Sequence, residues 1–421
     1  MPPDRCAGGA RTAPRLLVLA ESLPYPTLKG GDLRNWQNIN ALASCTRVGI
    51  FGFCSNDRRR ESVPDLALEC WEASSDPALT IPPPKGVRLP ARAWLLDPQG
   101  HPSDLYYSEG AARELSGLLG RLRPDIVVLE GLWLHRYLGV IRGAGCRVIL
   151  DCHNVEAALA CEVGSASSGH DLEARVRRDI LPARTEAIER RAVRAADQLW
   201  ACSAEDERRL RDRYHPVPPV IVVPNGIRLG DYDGGLRPDR PAEAPPTLVF
   251  LAFFGHFPNV VAARFLIEKV LPRLAAAAGA CRLLLVGAMP PPELAAAAAS
   301  DPRIVVTGAV RDVRPYLADA TAMAVPLFHG GGTRFKILEG FAAGLPVIST
   351  AKGAEGLSAR DRTHLLLAET ADEFVTAAVA LSRDPDLARC LTANARAWVA
   401  ERFSWDAAAA RIRHAIAALE A

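Results

Sequence analysis

Two doubly wound α/β domains, each a parallel sheet covered by helices and facing the other across a cleft, are what this sequence predicts. Three observations carry that expectation. Short, continuous apolar runs alternate with helical patterns along most of the chain. The stretch "RLGDYDGGLRPDRPAEAPP" at 228–246, rich in proline, glycine and charge, interrupts the rhythm, which then restarts. The 421 residues exceed one ordinary core and suit two units of about 200 residues each.

In the first half, strands are expected at 16–20, 47–53, 125–131, 146–152, 197–203 and 220–224. Their uniform apolarity is what strands buried on both faces require. A helix should begin near Asp32, which could cap it, and carry Leu33, Trp36, Ile39 and Ala43 on one face. Residues 54–103 read as irregular, and a helix follows near 104–122. After the linker, "TLVFLAF", "CRLLLVG", "RIVVTG", "TAMAVPL" and "PVIST" read as strands, and helices fill most of 372–419. In open sheets of this kind, ligands lie beyond the carboxyl ends of the strands, so the cleft between the domains is the expected site.

Composition narrows the function. Hydrophobic residues make up 49% and charged residues 23%, ordinary for a globular protein. The net charge of +2 gives no reason to expect nucleic acid as a partner. The 10 cysteines form no CxxC pair and fall mostly in apolar runs, which predicts buried free thiols in a reducing compartment. No apolar run nears the ~20 residues of a membrane span, and the N-terminus has no apolar core ahead of a cleavage site. The expected location is the cytoplasm.

The most informative segment is "FHGGGTRFKILEGFAAGLPVIST" at 328–350. A strand ends near Leu327, Gly330 to Gly332 turn, and a helix from Thr333 to Ala343 carries Phe335, Leu338 and Ala342 on one face. Gly344 and Pro346 stop it. A helix N-terminus offers unpaired N–H groups and a partial positive charge, and glycines let a ligand approach closely. Arg334 and Lys336 add full charges, so the segment reads as an anion site, most simply for a di- or triphosphate. The bland alternative is a tight turn with two solvated cations. Glu339 lies six residues beyond Thr333, about 9 Å along the axis. It could accept both hydrogen bonds of a ribose diol at that distance from a terminal phosphate, or simply pair with Lys336 on the surface. Gly30 and Gly31 precede the first helix in the same way, and would close on the same diphosphate from across the cleft.

These residues resemble a known family. "GGGTRFKILEGFAAGLPVISTAKGAEGL" at 330–357 is similar to the donor-site segment of retaining glycosyltransferases of family four, which have the GT-B fold of two Rossmann-like domains. "PYPTLKGGDLRNWQ", "DCHNVE", "VVPNGI", "FGHFPNVVAARFLIEKVLPRL", "GAVRDVRPYLADA" and "ERFSW" follow in family order. The resemblance implies an acceptor-binding domain at 1–232, a linker at 233–246 and a nucleotide-sugar-binding domain at 247–400. It also implies a C-terminal helix at 401–421 that packs back on the first domain. It implies a UDP- or GDP-sugar donor, no metal, retention at the anomeric carbon, and a glycan, lipid-linked or small-molecule acceptor. Peripheral contact with the inner face of the membrane is common in the family.

Carried over by position, Glu339 would hold the ribose, while Arg334 and Lys336 would neutralise the diphosphate backed by Gly30 and Gly31. His153 would lie at the reacting sugar, and the loop around Val310 would pass the base. His329, Gly330, Gly331, Gly332 and Thr333 would line the donor turn, with His256 beside it. Two departures stand out. Many relatives have a glutamate where this chain has Gly331, and many have an Arg and a Lys where it reads "FGHFPNV". The inference is that Arg334 and Lys336 replace those cations.

Other readings stay open on the residues alone. His153 could be a structural histidine. "DYD" at 231–233 matches a metal motif of another fold but sits in the linker, so it reads as chance. "DRRRES" at 57–62 is a solvated loop or a contact for an anionic membrane. A nucleotide-sugar epimerase or a phosphorylase would share the fold. The latter needs a cofactor lysine, for which Lys352 has poor context. A non-catalytic nucleotide-sugar-binding partner of a larger assembly is the third option.

Overall fold

The computed structural model describes residues 13–27, 30–53, 65–80, 97, 100–166, 172–232, 244–330 and 334–420. The first domain is built on β1 (Arg15–Ala20), β2 (Arg47–Gly52), β3 (Cys70–Ala73), β4 (Ile126–Glu130), β5 (Arg147–Cys152), β6 (Gln198–Ala201) and β7 (Val220–Val222). They form one parallel sheet in the order β3-β2-β1-β4-β5-β6-β7. The second domain uses β8 (Thr247–Leu251), β9 (Arg282–Val286), β10 (Ile304–Val306), β11 (Ala322–Val325), β12 (Val347–Ser349) and β13 (Leu366–Leu367). Its sheet is also parallel, in the order β10-β9-β8-β11-β12-β13.

In each sheet the chain starts in the middle, winds to one edge and then to the other. The order therefore reverses beside β1 and β8, where the helices leave a crevice at the strand ends. The central strands β1, β4, β8 and β11 are buried throughout apart from Arg15, which matches their continuous apolar sequence.

The helices that position the site are α1 (Gly30–Ala43), α2 (Glu109–Leu122), α3 (Glu156–Ala166), α4 (Leu181–Ala195) and α5 (Ala204–Tyr214) in the first domain. The second adds α6 (Phe257–Phe265), α7 (Phe335–Ala342), α8 (Ala371–Arg383) and α9 (Pro385–Arg402), and α10 (Trp405–Glu420) follows α9. Local chemistry sets their ends. Ser108 caps α2 by accepting from the Ala111 N–H at 3.0 Å. Gly344, at φ +66°, turns the chain out of α7 ahead of Pro346. Within α7, Gly340 lets the helix close on the sheet, since a Cβ there would stand 3.0 Å from Val347.

The chain crosses between domains twice. Ile227 on the way out donates its N–H to Phe403 O, on the way back, at 2.7 Å. Beyond that crossing, α10 lies on the first domain. Ile412, Ala415 and Ile416 share a core with Leu16, Trp36, Val48 and Trp200, and Gln198 Nε2 donates to Ala415 O at 3.0 Å.

Three local expectations differ. Residues 54–103 contain an edge strand, β3, whose half-buried "CWEA" carries too short an apolar signal to stand out. Asp32 does not precede α1 but is its third residue, because the helix already begins at Gly30. On α7, Phe335 does not share the core face of Leu338 and Ala342; Ile337 and Phe341 do, and Phe335 points into the cleft. Residues 57–62, most of the linker and the segment 331–333 lie outside the described residues.

Because α10 fills the core of a domain distant in sequence, Ile412→Ala should destabilise the protein by roughly 2–5 kcal/mol in urea unfolding. A loss below about 0.5 kcal/mol, the range of exposed substitutions, would show that the helix does not belong to that core.

Candidate functional site

Residues at the carboxyl ends of β1, β5, β8, β11 and β12 converge on the cleft. On the first-domain side the deepest feature is a charged pair. Arg34 of α1 and Asp151 of β5 are both buried and form a two-pronged ion pair, with Arg34 Nε on Asp151 Oδ2 at 2.9 Å and Nη2 on Oδ1. Arg34 Nη1 also donates to Val223 O at 2.9 Å and to Asn225 Oδ1 at 2.8 Å. Asn38 Nδ2 adds a further bond to Asp151 Oδ2 at 3.0 Å. Burial disfavours charge on Asp151, yet Arg34 and His153 outweigh it and hold the carboxyl well below its ordinary range.

His153 follows Asp151 by two residues and leans over this pair, with a quarter of its side chain open to the cleft. Its Nε2 lies 3.2 Å from Glu130 Oε2 and 3.5 Å from Asp151 Oδ2. Desolvation opposes charge on the imidazole, but the two carboxylates outweigh it and raise His153 to about 10. Burial beside Asp151 raises the Glu130 carboxyl to about 7. Asn35, with its amide nitrogen turned to this carboxylate, donates to Glu130 Oε2 at 3.0 Å. Glu130, Asp151 and His153 are close enough together to hold a metal ion, but both oxygens of Asp151 are engaged by Arg34.

The helix that follows, α3, begins beside His153. Its first N–H groups are already capped, since Glu189 of α4 accepts from Glu156 N at 2.8 Å and Ala157 N at 3.0 Å. That helix end is therefore satisfied from within the domain.

The second-domain side is α7 and the turn before it. Lys336 Nζ reaches back to the end of β8, donating to Asn259 Oδ1 at 2.9 Å and lying 4.3 Å from the centre of the Phe250 ring. Asn259 is fixed in turn by its bond to Phe253 O at 2.8 Å. Desolvation, aided by Arg334, lowers the Lys336 ammonium to about 7, with Glu339 pulling the other way. Glu339, one turn further on, accepts from the Tyr232 hydroxyl at 3.2 Å. Desolvation raises its carboxyl to about 7, against that bond and Lys336.

Gly330 sits at φ +118° with the Arg334 guanidinium over its Cα, so that a Cβ would come within 3.3 Å of Nη2. His329 is half-buried beside it. Desolvation, with the Lys336 and Arg334 cations nearby, lowers His256 at the start of α6, although the residue is exposed.

A cavity of about 520 Å³ joins the two sides. Gly30 and Leu33 line it from α1, Phe335 and Glu339 from α7, and Arg228, Asp231 and Tyr232 from the crossing segment. Gly30 touches Phe335 so closely that a Cβ would stand 3.1 Å from the ring, so these two helix starts do face each other. The loop at 311–314 forms another wall and is tied to the crossing segment by Arg314 Nη1 on Asp231 O at 3.0 Å. Val310 itself packs on the second-domain core, and its neighbours take the cavity wall. Gly31, with nothing within 4 Å of where its Cβ would be, stands beside Gly30. Gly331, Gly332 and Thr333 lie outside the described residues.

Sequence reasoning missed Arg34, Glu130, Asn259 and Tyr232. Arg34 and Glu130 are ordinary charges in a helix and a strand, and only the fold brings them to His153. Tyr232 lay inside the "DYD" set aside as chance, and its role comes from the crossing segment folding onto Glu339.

Comparison with known proteins bears on the fold and the family. Two family profiles match: "Glycosyl transferase 4-like domain" over residues 57–226 and "Glycosyl transferases group 1" over 246–384. No curated protein matches. Among solved structures, the fold is similar to sucrose-phosphate synthase from Thermosynechococcus elongatus, at 18% identity and TM-score 0.71, over 96% of this chain and 99% of that one. It is also similar to Anabaena HepE in complex with UDP, at 13% identity and TM-score 0.66, over 96% and 100%. The lipopolysaccharide outer core galactosyltransferase WaaB is similar at 14% identity and TM-score 0.61, over 96% and 99%. At these identities the likeness is one of fold.

If Glu130 helps hold the charge on His153, Glu130→Gln should lower the His153 pKa from about 10 toward the ordinary 6.5. An NMR titration of the imidazole reads this directly, and an unchanged midpoint would remove Glu130 from the account.

Proposed function

We propose, from the premise that this chain is a glycosyltransferase of the GT-B fold, that it moves a sugar from a nucleotide diphosphate donor with retention and without a metal. The observation that carries the reading is the arrangement on α7. Arg334 stands immediately before the helix that carries Lys336 and Glu339, and the start of that helix faces Gly30 across a shared cavity. In this reading the diphosphate lies between Gly30 and Gly31 and the α7 start, with His329 and Gly330 beside it. The ribose diol replaces the Tyr232 hydroxyl on Glu339. The base lies toward the 311–314 wall, next to the loop around Val310.

The chemistry follows from where charge develops. As the sugar–phosphate bond breaks, negative charge grows on the leaving diphosphate and positive charge on the sugar. Arg334, Lys336 and the helix N–H groups stabilise the former without reorganising. Lys336 stands at the end of β8, which supports its substitution for the cations that many relatives carry there. His153, held by Glu130 and Asp151, faces the reacting sugar with a fixed orientation. The departing phosphate oxygen takes the acceptor proton on the same face. UDP or GDP is the expected carrier, and the likeness to a UDP-bound structure favours the first. A glycan, lipid-linked or small-molecule acceptor enters from the first domain, with peripheral membrane contact for a lipid-linked one.

The phosphorylase alternative loses support, because Lys352 Nζ is bridged by Glu162 at 2.8 Å and Glu355 at 2.7 Å.

A thermal-shift panel of UDP-, GDP-, ADP- and dTDP-sugars, followed by donor hydrolysis on any hit, tests the reading. Stabilisation by at least one donor is expected, and none by any would sink it. Glu339→Ala should weaken nucleoside diphosphate binding about tenfold or more, the worth of a charge-assisted hydrogen bond. Equal affinity would remove its ribose role.

A further inference from the structure

The cleft is bridged at a second place, at Gly330. Glu162 of α3 reaches across from the first domain. Its Oε2 accepts the Gly330 N–H at 3.2 Å and its Oε1 accepts Lys352 Nζ at 2.8 Å. Lys352 follows β12 and also meets Glu355 Oε2 at 2.7 Å. Glu355 Oε1 then accepts from Arg209 of α5, back in the first domain. Asp206, one turn before, lies 3.6 Å from Arg209.

The four charges alternate in sign, both carboxylates use both oxygens, and three of the contacts join one domain to the other. The side chains are between 21% and 33% exposed, so the pairs are only partly screened. Burial opposes charge on Glu355, yet Lys352 and Arg209 outweigh it and hold the carboxyl below its usual range.

We propose that Glu162 is the positioning residue of the donor turn. It fixes the Gly330 backbone against the first domain and, with Arg209, Lys352 and Glu355, sets the width of the cleft at which His153 and α7 address the same sugar. The proposal rests on the reading of the Gly330 turn as part of the donor site. Two features make position at this point matter. Gly330 holds a backbone conformation that only glycine adopts readily, and the Arg334 guanidinium lies over it, so a shift of the turn moves that cation too. Arg334 also feels the fields of Glu355 and Glu162, which favour its charge against desolvation. His153 lies only a few residues before α3, the helix that carries Glu162, so one helix links the first-domain histidine to the second-domain turn.

The test uses the full chain with Glu162→Ala, Glu162→Gln and Arg209→Ala. Solution scattering reads cleft width without reference to catalysis. Glu162→Ala should expand the protein, Arg209→Ala should do so less, and the wild type should expand with added salt. Donor hydrolysis should fall at least ~10-fold in kcat for Glu162→Ala, as expected when reacting groups are displaced by a fraction of an ångström to an ångström. UDP affinity should fall less than kcat, because Glu339 and the 311–314 wall are untouched. Glu162→Gln, which keeps an acceptor for the Gly330 N–H, should recover part of kcat.

Unchanged scattering and kcat in Glu162→Ala would overturn the proposal. So would markedly tighter UDP binding, which would make Glu162 a competitor for the donor. If the wild type binds no nucleoside diphosphate, the functional reading falls, and scattering alone decides the clasp: expansion of Glu162→Ala upholds it, constant dimensions refute it.

Discussion

A cleft between two low-dielectric domains must account for every charge it takes out of water, and this constraint organises the molecule. The first domain meets it internally. Arg34 and Asp151 are both buried, bond in two places, and spend their remaining polar capacity on Val223, Asn225 and Asn38. Such a pair contributes little net stability, but removing one partner strands the other at a cost of about 3–5 kcal/mol. Its value here is geometric: it joins α1, β5 and the segment after β7 into one rigid edge, and His153 is oriented on that edge.

The second domain meets the same constraint differently. Lys336 is directed at a neutral amide and an aromatic face, and Glu339 at a phenol. With such partners both groups drift to about 7, the lysine down and the glutamate up. Charge on α7 is thus poised to respond to a ligand, while the Arg34–Asp151 pair keeps its charges. Pairing a rigid half with a responsive half suits transfer chemistry, in which one side must orient a sugar and the other must absorb the charge of a leaving group.

The fold was legible because its strands are buried on both faces, which writes them as continuous apolar runs, and because a polar stretch divides the chain. Only the edges escaped: β3 is half-buried and β13 has two residues, too little for an apolar signal. The α7 segment was legible because its chemistry is contiguous: glycines, two cations and a glutamate within one strand–turn–helix unit. Contacts between distant segments were not. Glu130 and His153 are 23 residues apart, Tyr232 and Glu339 are 107, and Glu162 and Lys352 are 190. No periodicity links such positions; the parallel sheets and the double crossing of the chain bring them together. The face of Phe335 was misread for a related reason. Helical spacing identifies an apolar stripe but not which of its members meets the core and which meets the opposite domain.

If α7 is a diphosphate site, its lysine gains a proton from the ligand's charge. Calorimetric titration of the wild type with UDP at pH 8, in two buffers of different ionisation enthalpy, tests it most directly. Lys336, at about 7 in the free protein, is then mostly neutral and must be protonated beside the diphosphate. Uptake of about one proton per UDP bound, lost in Lys336→Met, is expected. Binding heats that do not depend on the buffer, or an uptake that survives Lys336→Met, would contradict it.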